Sequence, residues 1–446
     1  MKRCEAVSIV SMLLVCICCV FFTRSLRLRI AAYSAAREVL SLQSKQASAP
    51  NSSEQIRLLL QKPFCLNPLN RDICLQAQQV AQWYQNHSDS KPQRLASKLR
   101  CRGRPIRIGH NLDRWFEFIN RRAKQLDSCP VKCEAFSVDE IKSKRLRDLD
   151  VLVGLNTILT GKAAQLNPKA KRAMLSLERT LHPLGWKTRL QTQKDFDMLI
   201  SFNQQADVWI NYMFSFNYDQ CQSRNSCLQD SFQTSWLENP LTFQFWNESL
   251  KTFGALLVSN CQNNRLRFFR ELEKNGISFS KSGRCFRKKV NVSELLEHSP
   301  FDSDRNLPKD WKFLKSAFSK FFPFYFGIEN GIELDYLTEK FFIGLRMGNI
   351  PVILGAPNLA DYWPFDSSPP WVDVLDYYDA SALSRELISL MEDPDRYRDK
   401  LDALLRVPSQ EFQRVIDRWM NASFTLPGEN SVLCRICKYM DENFCE

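Results

Sequence analysis

Beyond Cys101, short apolar runs alternate with helix-period segments, and this predicts an α/β fold built from two βαβ-type halves. Two further observations fit. At 446 residues the chain can hold two compact domains plus accessory segments, and 44% hydrophobic residues suffice for a sizeable core. In the first half, ending near Trp246, "DVLVGLNTIL", "KRAMLSLE", "FDMLISF" and "ADVWINYMF" read as strands. The second half opens on "FGALLVSN" as a strand, followed by "NNRLRFFRELEKNG" as a helix and "FPFYFGIEN" as a strand. "DYLTEKFFIGLRMG" then reads as a helix, "NIPVILG" as a strand and "ASALSRELISLMEDP" as a helix with Leu383, Leu387 and Met391 on its buried stripe.

The N-terminal segments have a different character. Ala6–Phe22 is an uncharged apolar run at the short end of the roughly 17–25 residues that span a bilayer. No small-residue cleavage pattern follows it, so an uncleaved signal-anchor is expected. Lys2 and Arg3 before it are matched by Arg24, Arg27 and Arg29 after it, and these charges alone do not orient it. The cysteines and sequons do. Of sixteen cysteines, Cys4, Cys16, Cys18 and Cys19 sit in or beside the run, and the rest include the close pairs Cys65/Cys74, Cys129/Cys133, Cys221/Cys227 and Cys434/Cys437. That usage fits disulfides in an oxidising compartment. The alternative is a zinc site from Cys434, Cys437 and Cys445, which lacks a second pair or a histidine couple. N-x-S/T sequons at Asn51, Asn86, Asn247, Asn291 and Asn421 also point to a lumenal or extracellular body. The expected order is a cytoplasmic tail over 1–5, the anchor over 6–22 and a Ser/Gln-rich stem over 23–100. A first domain over 101–246, a second over 247–405 and a helical Cys-x-x-Cys tail over 406–446 complete it.

Charge and motif content exclude several classes. The net charge of +12 is spread among mixed acidic and basic residues with no basic stripe, which reads as a solvated surface and not a nucleic-acid face. Four histidines with no H-x-x-x-H and no G-x-S-x-G argue against a metalloprotease or a serine hydrolase. The D-x-D triplets at Asp148–Asp150, Asp195–Asp197 and Asp302–Asp304 are of the kind a divalent nucleotide-sugar site uses. Three in this length is near chance, and solvated strand faces explain the first two more simply.

Three stretches can carry chemistry. If Asp335 is the N-cap of "DYLTEKFF", then Tyr336, Glu339 and Lys340 share one helix face, Leu337, Phe341, Gly344 and Leu345 form the other, and Gly348 ends the helix. Such a face at a helix N-terminus suits an anion: Lys340 for a phosphate, Glu339 for a sugar hydroxyl, Tyr336 for a ring. An ordinary amphipathic helix gives the same spacing. In "LLVSNCQNNRLRFFREL" a strand, polar turn and helix starting near Arg265 make a phosphate-facing arrangement, with Leu266, Phe269 and Leu272 towards the sheet. No G-x-G-x-x-G is present; Arg265 can grip a diphosphate or be a solvated helix residue. In "MLSLERTLHPLGW", Glu178 leaves the end of a strand where a general base can sit. It can also pair with Arg179, and His182 is a competing base.

"FYFGIENGIELDYLTEKFFIGLRMGNIPVILGAPNLADYWP" resembles the signature of the α-1,3/4-fucosyltransferases, and "LLVSNCQNNRLRFFRELEKNGISFSKSGRC" looks like the opening of their donor domain. "LSLERT" and "FDMLISFNQQADVWINY" are similar to their acceptor-side motif, although many members carry Asn-Phe-Glu-Ser-Pro where this chain reads "LSLERTLHP". The likeness covers roughly Leu175 to Leu404. It implies a GT-B-type fold of two Rossmann-like domains facing a cleft, in a single-pass type II Golgi membrane enzyme with a lumenal body. The implied reaction is an inverting transfer of fucose from GDP-fucose, expected on O3 of GlcNAc in a glycoprotein glycan, with no metal required and Mn or Mg at most stimulatory. By position in the motifs, Glu178 is the implied base. Arg265 and Lys340 face the leaving diphosphate, and Asn330, Tyr336 and Glu339 line the donor pocket. The family's usual Phe-Glu-Asn-Ser is "IENG" here, keeping Glu329 and Asn330. Cys261 and Cys285 bracket the first donor-domain helix as a candidate disulfide, and the tail "LCRIC", with Cys434 and Cys437, resembles a bridged Cys-x-x-Cys of some members.

Overall fold

The computed structural model describes residues 58–446 apart from 112–125, 139–146, 156–164, 178–195, 213–251, 287–321, 423–428 and single residues or short runs elsewhere. The anchor at 6–22 and the sequons at Asn51, Asn247 and Asn291 lie outside the described residues, as do the Cys221/Cys227 pair, Asp302–Asp304 and Glu178. Among the described residues no helix is long and apolar enough to cross a membrane.

Two parallel sheets organise the body. The first contains β1 (Ile106–His110), β2 (Cys133–Ser137), β3 (Val151–Leu155), β4 (Lys171–Ser176), β5 (Met198–Ser201) and β6 (Val208–Trp209), in the order β2-β1-β3-β4-β5-β6. The second contains β7 (Gly254–Leu257), β8 (Phe279–Ser282), β9 (Phe324–Ile328), β10 (Ile350–Leu354) and β11 (Val372–Asp373), in the order β11-β10-β9-β7-β8. Every pairing among these strands is parallel. Within each sheet the direction of strand addition reverses once, between β1 and β3 and between β7 and β9. Such a reversal opens a crevice beyond the carboxyl ends of the two strands, because their connections leave to opposite faces.

The strands form where apolar runs are continuous, since parallel strands are covered on both faces. β3, β4 and β5 are buried almost throughout, as is β9. The sequence reading placed these four but not β1, β2 or β8. β2 is only partly buried along its length, and β8, "FSKS", alternates with polar residues, so neither carries a strong apolar run.

Helices cover the second sheet. They are α2 (Asn263–Lys274), α3 (Glu339–Arg346), α4 (Ala380–Glu392) and α5 (Pro394–Arg406), preceded in the chain by α1 (Arg71–Asp89) and followed by α6 (Ser409–Ala422) and α7 (Val432–Asn443). Asp379 caps α4 by accepting from the Ala382 N–H at 2.8 Å. The buried stripe of α4 is Leu383, Leu387 and Leu390, with Met391 only half-buried. Phe269 and Leu272 of α2 are buried as expected, while Leu266 is half-buried.

Three expectations need correction. A stem reaching residue 100 does not hold: α1 packs Val80, Trp83 and Tyr84 against Met174, Phe196 and Leu199, and the Tyr84 hydroxyl lies 3.0 Å from that of Ser201. Residues from Leu59 onward have an apolar face to bury, so they join the body. A Cys434–Cys437 bridge is not formed. α7 instead crosses back to the first sheet, where Cys434 pairs with Cys129, Cys437 with Cys133 and Cys445 with Cys101, while Cys65–Cys74 and Cys261–Cys285 pair as the spacing and the resemblance suggested. One turn of helix separates Cys434 from Cys437 and aims both at the same neighbour, and with all three C-terminal thiols oxidised a zinc site there is ruled out. Asp150, read as part of a solvated strand face, is buried. It accepts two hydrogen bonds from Arg104 at 2.6 and 2.7 Å and one from the Arg107 N–H, closing the entrance to β3.

Candidate functional site

The reversal point of the second sheet gathers the chemistry. Arg265 lies in the first turn of α2, which follows β7, and Asn330 lies just beyond β9. Arg265 Nη1 donates to Asn330 Oδ1 at 3.1 Å, so the two connections that diverge at the reversal are joined there. Disulfide Cys261–Cys285 ties the turn before α2 to the segment after β8 and holds the Arg265 backbone in place.

Lys340 enters from the neighbouring helix. α3 begins at Glu339, not at Tyr336, so Asp335 is not its N-cap and the expected shared face of Tyr336, Glu339 and Lys340 does not exist. Thr338 precedes the first turn instead, and its hydroxyl accepts from the Lys340 N–H at 3.5 Å. The α3 stripe starts at Phe341 and Leu345, a spacing that suits Thr338 as the start better than Asp335. Gly344 lets α3 approach the sheet: a Cβ there would stand 2.9 Å from the Tyr325 ring.

Glu329, at the carboxyl end of β9, organises the cluster. Its side chain is wholly buried and accepts from the Thr338 N–H at 2.8 Å, the Thr338 hydroxyl at 2.7 Å and Lys340 Nζ at 3.0 Å. Lys340 Nζ also donates to Thr338 Oγ1 at 2.7 Å and to Glu339 at 3.3 Å. Gly355 makes room for this carboxylate, since a Cβ at 355 would lie 2.8 Å from Glu329 Cγ and 3.0 Å from the Tyr336 carbonyl. Burial pushes the Glu329 carboxyl up from the usual carboxylate range, and Lys340 pulls it back. Burial works against the Lys340 charge, but Glu329 and Glu339 outweigh it and hold the ammonium above its ordinary value. Burial draws Arg265 below the usual guanidinium value, opposed by Glu329, Tyr336 and Glu339. Two cations, Arg265 and Lys340, thus remain charged beside a buried acid that fixes one of them.

Tyr336 is only 1% exposed, its ring 4.9 Å from that of Phe202 in the first half, so it packs behind the cluster and presents no open ring face. Thr338 and Gly355 had no part in the sequence reading. A Thr-Glu-Lys step directly before an apolar helical stripe is the signal that marks Thr338. The other expected site residue, Glu178, follows Leu177 at the end of β4 and lies outside the described residues.

This arrangement suits a ligand with two adjacent negative groups. A guanidinium and an ammonium come from separate connections at one sheet reversal, and the first turns of α2 and α3 add positive dipole ends.

Residues 248–445 match the family model "Glycosyltransferase family 10 (fucosyltransferase) C-term". Among similar proteins, a fucosyltransferase-like protein of Arabidopsis thaliana is 26% identical over 185 residues, 41% of this chain and 32% of that protein. Alpha-(1,3)-fucosyltransferase B of Drosophila melanogaster is 33% identical over 121 residues, 24% of this chain and 27% of its own length. The human 4-galactosyl-N-acetylglucosaminide 3-alpha-L-fucosyltransferase 9 is 28% identical over 151 residues, 33% of this chain and 35% of its own. The match therefore spans about a third of these relatives' length. A crystal structure of an alpha1,3-fucosyltransferase with GDP-fucose aligns over 70% of this chain and 88% of that one, at 16% identity and a TM-score of 0.39. All of Arg265, Glu329, Asn330, Thr338, Glu339 and Lys340 fall inside residues 248–445, the segment that matches the C-terminal model of glycosyltransferase family 10, the fucosyltransferases.

Proposed function

We propose that this protein transfers fucose from GDP-fucose to a hydroxyl of a glycan, expected to be O3 of GlcNAc, by direct displacement with inversion. The observation that carries the reading is the placement of Arg265 and Lys340 at the β7/β9 reversal, beside Asn330, within the family segment. As the bond from fucose to the diphosphate breaks, negative charge grows on the leaving phosphate oxygens. Arg265 and Lys340 stabilise that charge in place of a divalent ion. Glu339, half-buried at the start of α3, is placed to accept a hydrogen bond from the nucleotide sugar. On the acceptor side, Glu178 serves as the base that takes the hydroxyl proton as the new bond forms. A type II anchor over residues 6–22 and a Golgi lumenal body complete the reading, in keeping with the five disulfides among the described residues.

The test is turnover. The purified full-length chain is incubated with GDP-fucose and a panel of N-acetyllactosamine and N-glycan core acceptors, with and without EDTA. Fucosylated product that persists in EDTA supports the donor, the reaction and the metal-independent mechanism. GDP binding without turnover on any acceptor would point to a glycan-binding protein that keeps the fold. Turnover of a different nucleotide sugar would overturn the donor.

A further inference from the structure

Asp335 is, among the described residues, the one non-glycine residue with a left-handed backbone, at φ 60°. Aspartate tolerates that conformation better than most side chains, so the geometry is compatible with its sequence position but not explained by it. Its carboxylate is buried and takes four donors. Oδ2 accepts from the Gln204 N–H at 3.0 Å, and Oδ1 accepts from Gln204 Nε2 at 2.9 Å, Asn358 Nδ2 at 2.8 Å and the Tyr362 hydroxyl at 3.2 Å. Asn358 returns the contact by accepting from the Asp335 N–H at 2.9 Å. Asn358 and Tyr362 follow β10 in the second sheet, whereas Gln204 sits between β5 and β6 of the first. Gln204 is braced from its other side, its Oε1 accepting from Arg418 at 2.6 Å.

We infer that Asp335 is a positioning residue that ties the segment carrying Glu339 and Lys340 to the first sheet through Gln204, so that the cation pair and the first half are assembled as one unit. The inference rests on the reading of Arg265 and Lys340 as diphosphate-binding cations. None of its four donors belongs to the start of α3, so the carboxylate serves no capping role there. Its bonds run outward on two sides, to the first half and to the segment after β10, and fix the chain four residues before the first residue of the helix that bears Lys340. A buried acceptor serving four donors has no substitute in water once removed. In Asp335→Asn the remaining oxygen can keep three donors, while the new amide opposes the Gln204 N–H. That variant therefore removes one of the two Gln204 bonds and leaves the bonds to Asn358 and Tyr362 in place. Asp335→Gly keeps the backbone conformation without strain and removes all four bonds.

Both variants and Gln204→Ala are made in the full-length chain. Amide hydrogen exchange of peptides covering 331–346 and 201–207 is measured without nucleotide, and affinities for GDP and guanosine are measured by calorimetry. Exchange in both peptides is expected to rise roughly tenfold in all three variants, with GDP affinity falling about tenfold and guanosine affinity little changed. Gln204→Ala combined with Asp335→Gly should lose no more than Asp335→Gly alone. Unchanged exchange, a normal Asp335→Gly protein, or equal loss of GDP and guanosine with a lowered Tm would overturn the inference. If the peptides loosen in the variants but the parent chain binds no GDP, the donor reading falls while the tie through Asp335 stands.

Discussion

Lys340 Nζ lies 3.0 Å from an oxygen of Glu329, whose side chain is wholly buried at the end of β9. The pair is asymmetric. Glu329 has the Thr338 N–H and hydroxyl as further donors, so its orientation is set by the backbone, and Lys340 takes its direction from Glu329. Glu329→Gln would leave the ammonium buried with one carboxylate fewer, and a loss of about 3 kcal/mol in unfolding free energy is expected. Urea denaturation of the variant checks it, and an unchanged midpoint would show that Glu339 alone supports Lys340.

Under the proposed transfer, Lys340→Ala and Arg265→Ala each remove a charge that faces the leaving group. Each should lower kcat about 10²–10³-fold with a smaller effect on acceptor KM, because the charge they meet develops in the transition state. Steady-state kinetics with GDP-fucose measures this. Asn330→Ala, which removes the Arg265 partner at 3.1 Å, should show a weaker version of the Arg265 effect and not a pattern of its own.

If Glu178 is the base as proposed, Glu178→Gln should abolish turnover while leaving GDP affinity within about twofold, since a base acts on the acceptor and not on the diphosphate. Persisting turnover would transfer the role to another group, with His182 the first to test.

Three disulfides tie the C-terminal segment to the first half, Cys437 and Cys434 of α7 to Cys133 and Cys129 and Cys445 beyond it to Cys101, closing loops of 304, 305 and 344 residues. Replacing Cys133 and Cys437 together by Ser should cost about 2–4 kcal/mol, and mild reduction should lower Tm by several degrees. Calorimetry with and without reductant tests both.

Asp373 gives a pH-dependent term. Burial pushes its carboxyl up to about 6, although Lys62 at 3.4 Å pulls the other way. For Lys62 burial lowers the pKa, but Asp373 and Asp376 together outweigh it and raise it, so the lysine gains from its carboxylate neighbours while Asp373 does not. A folded-state value above the unfolded one means that the native protein holds the proton more tightly. Stability from this group therefore falls as pH rises from about 4 through about 6 and is flat above. Asp373→Asn should remove roughly 2 kcal/mol of that decline, read as the difference between variant and parent in urea midpoints at pH 4.5 and 7.0. Equal slopes in both proteins would mean that Asp373 does not titrate in this range.

Arg265, Asn330, Glu339 and Lys340, which the resemblance named for the donor side, lie in two separate motifs whose strand, turn and helix follow in order, and the fold brings Arg265 to Asn330 and Lys340 to Glu339. Tyr336 went astray for a local reason. Asp335 and Thr338 are both good capping residues, and the distinction between them depends on which carboxylate and hydroxyl have partners elsewhere in the chain. Asp335 was claimed by Gln204, Asn358 and Tyr362, leaving Thr338 to start the helix.

The cysteine pattern separates the same two levels. Cys65–Cys74 was legible from nine residues of spacing, while Cys129–Cys434 and Cys133–Cys437 required a helix at the far end of the chain to return to the first sheet. Local order, the α/β alternation, the buried runs of β3, β4, β5 and β9 and the family motif are written in adjacent residues, since periodicity and turn chemistry act over one or two turns of chain. Strand order, the partners of buried carboxylates and the meeting of Arg265 with Asn330 across 65 residues are settled only when distant segments compete for the same donors and the same apolar surface. Hydrogen bonds in a low-dielectric interior admit one satisfied arrangement, and that arrangement is a property of the packed chain as a whole.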